Sequence, residues 1–311
     1  MKIEKIQKEI RVVGLQRSGN HAIANWVLKQ LPGAGLFFNN VLPESPFDES
    51  RLEWASDTDT TNFDFLLYSF EDRSLHAVTS PRVYPAYIGG DSPAVEKRID
   101  IIVLRDPFNL VASRFKHGRT NALRSSYPTG LTIPELWVMY AREFIGETNF
   151  LQEYKVPVNY NLWCVSKDYR KKLADLLGLE FTDTGFEDVT NYGGGSSFDG
   201  TGLDSQASQM STAERWLLFR NDLSYASIFK DKAILELSTK VFDLSNELHN
   251  FIDEDLAKNT RYTANIKRAL ACSISSPLIA YLRDLPLLRK LWRRFGLPIR
   301  SRQLSAGKKP R

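Results

Sequence analysis

Cysteine is scarce in this sequence of 311 residues, which contains only Cys164 and Cys272. Two cysteines cannot build a disulfide framework, so we expect two reduced, buried thiols in a cytoplasmic protein. No apolar run approaches the roughly 18 residues that a membrane-spanning helix needs. The opening segment, MKIEKIQKEIRVV, also lacks the apolar stretch of a secretory signal. The sequence therefore argues against a membrane-spanning or secreted chain.

Acidic residues are almost missing from the C-terminal segment. Residues 261–311 contain 13 Lys or Arg and one acid, Asp284, whereas residues 1–260 contain 28 Lys or Arg and 36 Asp or Glu. The net charge of +4 thus conceals a mildly acidic body and a strongly basic tail. Because the body has no excess of positive charge, we expect no nucleic-acid partner. We predict a domain at residues 1–260 and a basic, amphipathic, helical extension at residues 261–311.

The tail mixes apolar and basic residues in PLIAYLRDLPLLRKLWRRFG, residues 277–296. Pro286 would kink a helix at this point. Such a segment can lie on an anionic membrane, dock on the acidic body or bind a partner. Peripheral membrane contact through residues 277–311 is therefore one expectation for this segment.

Short apolar runs alternate with amphipathic segments along the body of the chain. This alternation favours an α/β fold, in which a mainly parallel sheet is flanked by helices. The capping-box sequence Ser211-Thr212-Ala213-Glu214 predicts a further helix that continues to about Phe229. The main strands are predicted at residues 10–15, 65–70, 99–104 and 156–162, and helices at 21–31, 132–147 and 167–177.

A loop bounded by glycines, Gly14-Leu15-Gln16-Arg17-Ser18-Gly19-Asn20-His21, follows the first predicted strand. Its glycines let the backbone approach an anion, and the following helix directs free N–H groups towards that anion. The spacing is that of a Walker A loop, but Asn20 replaces the Lys and His21 replaces the Mg²⁺-binding Ser or Thr. These replacements argue against a kinase or an ATPase. A phosphosulfate has less charge than a polyphosphate and can be bound without a metal, with Arg17 as the cation.

The run IIVLRDPFNLVASR, residues 101–114, places Arg105 at a strand end and Ser113 eight residues later on an N-capped helix. A guanidinium offers a fork of donors to a phosphate, and a serine two turns along the helix can bind the same phosphate. In this run, and in Arg17-Ser18-Gly19-Asn20, the sequence resembles the sulfotransferases that use 3′-phosphoadenosine-5′-phosphosulfate (PAPS). The alternative for Arg105 is an ion pair with Asp100 or Asp106.

The resemblance implies a P-loop-like sulfotransferase fold, PAPS as the co-substrate, its desulfated form PAP as the product, and no metal. It implies that Arg105 and Ser113 bind the 3′-phosphate and that Tyr160 contacts the adenine, although a buried structural tyrosine is equally compatible with the pattern. The residues implied to bind the 5′ end are Arg17, Ser18, Gly19 and Asn20.

Sulfuryl transfer needs a general base beside the acceptor and a cation near the bridging oxygen of the leaving group. Arg17 is our candidate for the cation. The resembled family uses a Glu or a His as the base, and Glu71, at the end of the predicted strand FDFLLYSFED, is our first candidate. His21 is the second candidate, and the others are Asp72, His76 and His117.

The sequence therefore predicts a sulfotransferase that moves a sulfuryl group by in-line displacement to a hydroxyl or an amine of an acceptor, such as a glycan or glycolipid. We expect acceptor contacts from predicted loops at residues 42–64 and 117–131 and from the helix after Thr132, because these segments leave the strand ends that contain the motifs. A P-loop-type small-molecule kinase and a catalytically inactive nucleotide-binding adaptor are the competing hypotheses.

Overall fold

The computed structural model describes residues 3–45, 48–56, 61–79, 94–118, 121–152, 154–191 and 194–255. The chain divides into two compact units, Met1–His249 and Asn250–Arg311. In the second unit, Phe251–Asp255 forms a π-helical turn. The predicted boundary between residues 260 and 261 and the predicted basic helical tail lie outside the described residues and stay predictions.

Within the described residues, six strands form one sheet in the order β3–β2–β4–β1–β5–β6. Neighbouring strands are parallel, except that β2 and β3 are antiparallel. The predicted α/β fold with a mainly parallel sheet is thereby confirmed. The strands are β1 (Lys5–Gly14), β2 (Gly35–Phe38), β3 (Leu52–Ala55), β4 (Asn62–Glu71), β5 (Ala94–Leu104) and β6 (Tyr154–Asn159).

The helices connect and flank these strands, and none in the described part of the chain is long and apolar enough to cross a membrane. Short 3₁₀ helices lie at Glu49–Arg51, Ala207–Gln209, Arg215–Phe219 and Ser227–Lys230. The α-helices are α1 (Asn20–Leu28), α2 (Leu75–Val78), α3 (Pro107–Gly118), α4 (Ile133–Phe144), α5 (Tyr160–Val165), α6 (Lys167–Leu177), α7 (Leu223–Ala226), α8 (Lys232–Val241) and α9 (Asn246–Asn250).

Both faces of the sheet are buried, which explains why its central strands read as continuous apolar runs in the sequence. One face packs against α1, α5 and α6 in a cluster that includes Val12, Trp26 and Ile101. The other face is covered by α4, which buries Trp137 and Tyr140. Trp137 Nε1 donates to the carbonyl of Arg105 at 2.9 Å, and Tyr140 Oη donates to the carbonyl of Arg73 at 3.0 Å. Helix α4 thus fixes the backbone where β4 and β5 end.

Three sequence expectations are wrong at the level of secondary structure. The strand predicted at residues 156–162 ends at Asn159, and residues 160–162 begin helix α5. The continuous helix predicted from Ser211 to Phe229 is instead a 3₁₀ turn, the short helix α7 and another 3₁₀ turn. Packing overrides the local cap signal here, since the backbone N–H of Trp216 donates to the Asn109 side chain of α3. The segment 42–64, expected as a loop, contains the edge strand β3.

A buried ion pair joins several segments at the carboxyl edge of the sheet. Asp72 follows β4, is 0% exposed and accepts bonds from Arg114 Nη1 at 3.1 Å, Arg114 Nη2 at 3.0 Å and the Gln16 N–H at 2.9 Å. Arg114, on α3, also donates to the carbonyls of Ala122 at 2.7 Å and Arg124 at 3.0 Å. One pair of side chains therefore holds together β4, the loop after β1, α3 and the segment that follows α3.

We predict that Asp72→Ala lowers the free energy of unfolding by about 3–5 kcal/mol, because it leaves the Arg114 guanidinium buried without its counter-charge. Urea unfolding measures the change. Asp175→Ala removes an exposed carboxylate from α6 and should change stability by no more than about 0.5 kcal/mol. An Asp72→Ala effect as small as that of the control would contradict the role assigned to this pair.

Candidate functional site

A cavity of about 510 Å³ opens at the carboxyl edge of the sheet. Its walls come from the loop between β1 and α1, the ends of β2, β4 and β5, helix α5 and segments between residues 186 and 215. In a parallel sheet the carboxyl ends of all strands meet at one edge, and ligands bind there. The sequence motifs therefore lie around one cavity although they are far apart in the chain.

The loop after β1 depends on its two glycines. A Cβ at Gly14 would overlap the side-chain amide of Asn20, and a Cβ at Gly19 would overlap the ring of Tyr160. Gly19 also has a φ of 92°, which L side chains rarely adopt. Ser18 Oγ is buried in this loop and has no hydrogen-bond partner among the described residues. The loop is thus closely packed and retains an unused polar atom.

Arg17 extends from this loop into the cavity. Its Nη1 donates to the carbonyl of Gly195 at 3.2 Å, and its Nη2 lies 2.7 Å from Nδ1 of His117. Burial lowers the pKa of Arg17, and the nearby carboxylate of Glu71 offsets only part of this effect. The guanidinium is half-buried, so an anion in the cavity would contact it with little intervening water.

Two arginines meet at the end of β5. Arg105 is 2% exposed and donates to Ser113 Oγ at 3.2 Å, to the Arg17 carbonyl at 3.1 Å and to the Thr212 carbonyl at 2.5 Å. Arg215 is 8% exposed and donates to the same Ser113 Oγ at 3.1 Å and to Ser196 Oγ at 3.0 Å. Ser113 lies between the two guanidinium groups and orients both.

This arrangement differs from the alternative in which Arg105 pairs with a neighbouring aspartate. Asp100 instead binds Arg11, and Asp106 accepts bonds from Asn109 and Asn161. The nearest carboxylate of Arg215 is Asp199, at 3.6 Å. Burial, and then the charge of Arg105, lower the pKa of Arg215 to about 10.

Aromatic residues form the wall next to these arginines. Tyr160 begins α5 and its ring stacks on Trp163, with centroids 5.9 Å apart and an interplanar angle of 16°. Both rings line the cavity, as does Phe186. Trp163 Nε1 is buried and has no partner within the described residues. Tyr160 therefore has two roles in the geometry, since it packs on Gly19 and also presents an aromatic wall beside an unused indole donor.

Glu71, the first candidate base, is the last residue of β4 and lies beside Gly14 of β1 in the sheet register. Its Oε1 accepts a bond from Asn20 Nδ2 at 2.9 Å and lies 3.6 Å from His21 Nε2. Asn20 Nδ2 also donates to the Leu15 carbonyl at 3.0 Å. The amide predicted to donate to a phosphate thus has two protein acceptors and orients Glu71 instead.

The other candidate bases lie elsewhere or are already bound. Asp72 is occupied by Arg114 and the Gln16 N–H. His76 stacks edge-on against Phe150 and is not among the cavity-lining residues. His117 was expected in a loop but lies at the end of α3, where it contacts Arg17. Glu71, His21 and His117 are the candidate bases that line the cavity, and of these three His117 is in contact with Arg17.

The opposite end of the cavity, beside β2 and β3, has a polar wall. Asn39, Asn40, Arg51 and Glu53 line it. Asn40 has a φ of 48°, and its Oδ1 accepts a bond from Tyr127 Oη at 3.3 Å. Arg51 and Glu53 come from the segment 42–64, whereas no residue of the helix after Thr132 lines the cavity. Acceptor contacts by the segment 42–64 stay a prediction.

Sequence reasoning missed Arg215 and Trp163. Arg215 lies in a segment predicted as an amphipathic helix, 110 residues after Arg105, and no motif spacing connects the two. Trp163 reads in the sequence as an ordinary core residue. Arg105 and Glu71 could be identified because each lies at the end of a predicted strand, and Arg215 has no such position.

The donor set fits a nucleotide with anions at two positions. Ser18 Oγ, Trp163 Nε1 and Arg215 Nε are buried polar atoms without partners in the described structure, and buried polar atoms are normally hydrogen-bonded. Two separate cationic groups, one at Arg17 and one at Arg105 and Arg215, flank the aromatic wall. Among the described residues no group of three or more His, Cys, Asp or Glu side chains is arranged to hold a metal.

Solved structures similar to this chain include two sulfotransferases. Mouse sulfotransferase SULT7A1 complexed with PAP is 13% identical, covers 77% of this chain and 91% of its own, and has a TM-score of 0.42. The sulfotransferase domain from the curacin biosynthetic pathway is 14% identical, covers 79% of this chain and 100% of its own, and has a TM-score of 0.38. Both are sulfotransferases, the family that the motifs resemble. No protein-family model and no curated protein sequence matches the chain.

Proposed function

We propose that this protein is a PAPS-dependent sulfotransferase. The single observation that supports this most strongly is the burial of Arg105 and Arg215 side by side around Ser113. Two buried guanidinium groups repel each other and have lost hydration, so the arrangement favours a bound dianion such as a 3′-phosphate. Arg17 and the loop after β1 supply a second anion site for the 5′ end.

The residues fit the requirements of sulfuryl transfer. The new bond forms between the acceptor oxygen or nitrogen and sulfur, the bond from sulfur to the bridging phosphosulfate oxygen breaks, and PAP leaves. Glu71, oriented by Asn20, takes the acceptor proton. Arg17 stabilises the negative charge that develops on the bridging oxygen, since cations aimed at developing charge lower the barrier.

The polar wall beside β2 and β3 supports a polyhydroxylated acceptor such as a glycan. Amide, guanidinium and carboxylate groups from Asn39, Asn40, Arg51 and Glu53 present both donors and acceptors to this end of the cavity. Sugar hydroxyl groups both donate and accept hydrogen bonds, so they match such a wall better than a flat apolar acceptor does.

We predict metal-free binding of PAP. Calorimetric titration in EDTA should show PAP binding to the wild type, and Arg105→Ala or Arg215→Ala should weaken it roughly 10- to 100-fold, since a hydrogen bond to a charged group contributes about 1.5–3 kcal/mol. Arg220→Ala, a control in the same segment whose guanidinium lies over Trp216, should bind PAP like the wild type. Mg²⁺-dependent ATP binding, or no PAP binding by folded protein, would favour the kinase hypothesis.

A second prediction concerns the base. With any acceptor that turns over ³⁵S-labelled PAPS, Glu71→Gln should lower kcat by about 10²–10⁴-fold, the usual contribution of a general base, and leave PAP affinity nearly unchanged. Glu236→Gln, an exposed change on α8, is the control and should have no effect. A larger loss of kcat in His21→Asn than in Glu71→Gln would assign the proton to His21. PAP binding without turnover of any acceptor would favour the inactive adaptor.

We also propose that residues 277–311 contact anionic membrane, on the basis of the sequence alone. Changing Arg289, Lys290, Arg293 and Arg294 to Glu should reduce co-sedimentation with phosphatidylserine vesicles at least tenfold, because each basic residue near such a surface contributes about 1 kcal/mol. The control reverses two exposed lysines of α6, Lys171 and Lys172. Equal binding by wild type and the tail variant would contradict membrane contact and favour docking on protein.

A further inference from the structure

His117 contacts the catalytic cation that the proposed function requires. Arg17 Nη2 lies 2.7 Å from Nδ1 and 3.0 Å from Nε2 of the His117 ring. The two residues are 100 positions apart, and His117 comes from the last turn of α3. Both line the same cavity. The contact is therefore a tertiary one, made at the wall where the loop after β1 meets α3.

The Arg17 guanidinium is held between two acceptors. The Gly195 carbonyl accepts from Nη1 at 3.2 Å on one side, and the imidazole lies against Nη2 on the other. The backbone of Arg17 has a φ of 71°, an uncommon conformation for a residue with a side chain. The Arg105 side chain bonds the Arg17 carbonyl and holds this conformation. Backbone and side chain are thus fixed from three directions.

Two cations and two other titratable side chains lie near His117. Arg17 faces it from the loop after β1, Arg114 lies on its own helix, and Glu71 and His21 line the cavity nearby. Burial, then Arg17, then Arg114 lower the pKa of His117. A lowered pKa favours the neutral imidazole, and only a neutral imidazole has a nitrogen that can accept a bond from a guanidinium. Protonation would replace this bond with repulsion between two cations.

We propose that His117 is a positioning residue that holds the Arg17 guanidinium towards the 5′ end of the nucleotide. This inference rests on the proposed function, because it assigns His117 a role through Arg17 at the phosphosulfate. It also explains why His117 is a poor candidate for the general base, since Arg17 Nη2 lies within 3.0 Å of both ring nitrogens. Loss of His117 should therefore weaken binding of the 5′ group and leave binding at the 3′ site unchanged.

The first test compares PAP with adenosine 3′-monophosphate, which lacks the 5′-phosphate. His117→Ala should weaken PAP roughly tenfold and change adenosine 3′-monophosphate affinity less than twofold. His117→Gln keeps an acceptor oxygen and should restore most of the PAP affinity. In an Arg17→Ala background, His117→Ala should have no further effect, because the two residues act as one unit. His249→Ala, an exposed histidine bonded to its own helix, is the control.

Equal weakening of both nucleotides, or a full additional loss in the Arg17→Ala background, would overturn the proposal and leave His117 with a merely structural role. In kinetics, the rate should fall as the pH drops through the pKa of His117, and the His117→Gln variant should lack that fall. Persistence of the same acidic fall in His117→Gln would also contradict the assignment.

A second test does not depend on nucleotide binding. The protein has four histidines, so the pH titration of each imidazole can be followed by NMR. His117 should titrate below the ordinary histidine range, and Arg17→Ala should raise its pKa, since it removes the facing cation. No response of His117 to Arg17→Ala would overturn the contact even if PAP binds. The expected response without PAP binding would retain the contact and reject the proposed nucleotide function.

Discussion

The ion pair between Asp72 and Arg114 fixes the geometry on which the remaining site depends. Asp72 has no exposed surface, and its carboxylate is fully occupied by the Arg114 guanidinium and the Gln16 N–H. The pair joins the end of β4 to the loop after β1 and to α3, so Glu71, Arg17 and the residues of α3 keep fixed relative positions. A buried charge pair is a costly way to stabilise a fold, but it is strongly destabilising to break. The relative positions of the site residues therefore depend on the ion pair between Asp72 and Arg114.

The second electrostatic feature of the protein is a buried pair of like charges. Arg105 and Arg215 lie together in a buried position and share one serine hydroxyl, and Asp199 lies 3.6 Å from Arg215. Such an arrangement lowers the stability of the folded protein and favours anion binding. Functional sites commonly reduce stability in this way. Burial, and then the charge of Arg105, lower the pKa of Arg215 to about 10.

Strand order explains how residues that are distant in the sequence share one cavity. β1 lies in the centre of the sheet, with β4, β2 and β3 on one side and β5 and β6 on the other. The loop after β1 therefore separates an aromatic and cationic half, beside Arg105 and Tyr160, from a polar half beside Asn39 and Glu53. In the function proposed above, this division would give the nucleotide and the acceptor separate ends of the cavity.

The sequence by itself determined the alternation of strands and helices, the glycine-bounded loop and the strand-end positions of Glu71 and Arg105, because these follow from local hydrophobic patterns and short spacings. Only the tertiary structure decided that Arg215 joins Arg105, that Asp72 is bound rather than available as a base, and that His117 faces Arg17. Each of these depends on a contact between segments about 40 to 110 residues apart. The positions of these side chains depend on tertiary packing, which local spacing in the sequence does not reveal. For this reason the capping-box sequence at residues 211–214 predicted a helix, whereas the next residue, Arg215, is a buried cation in a 3₁₀ turn.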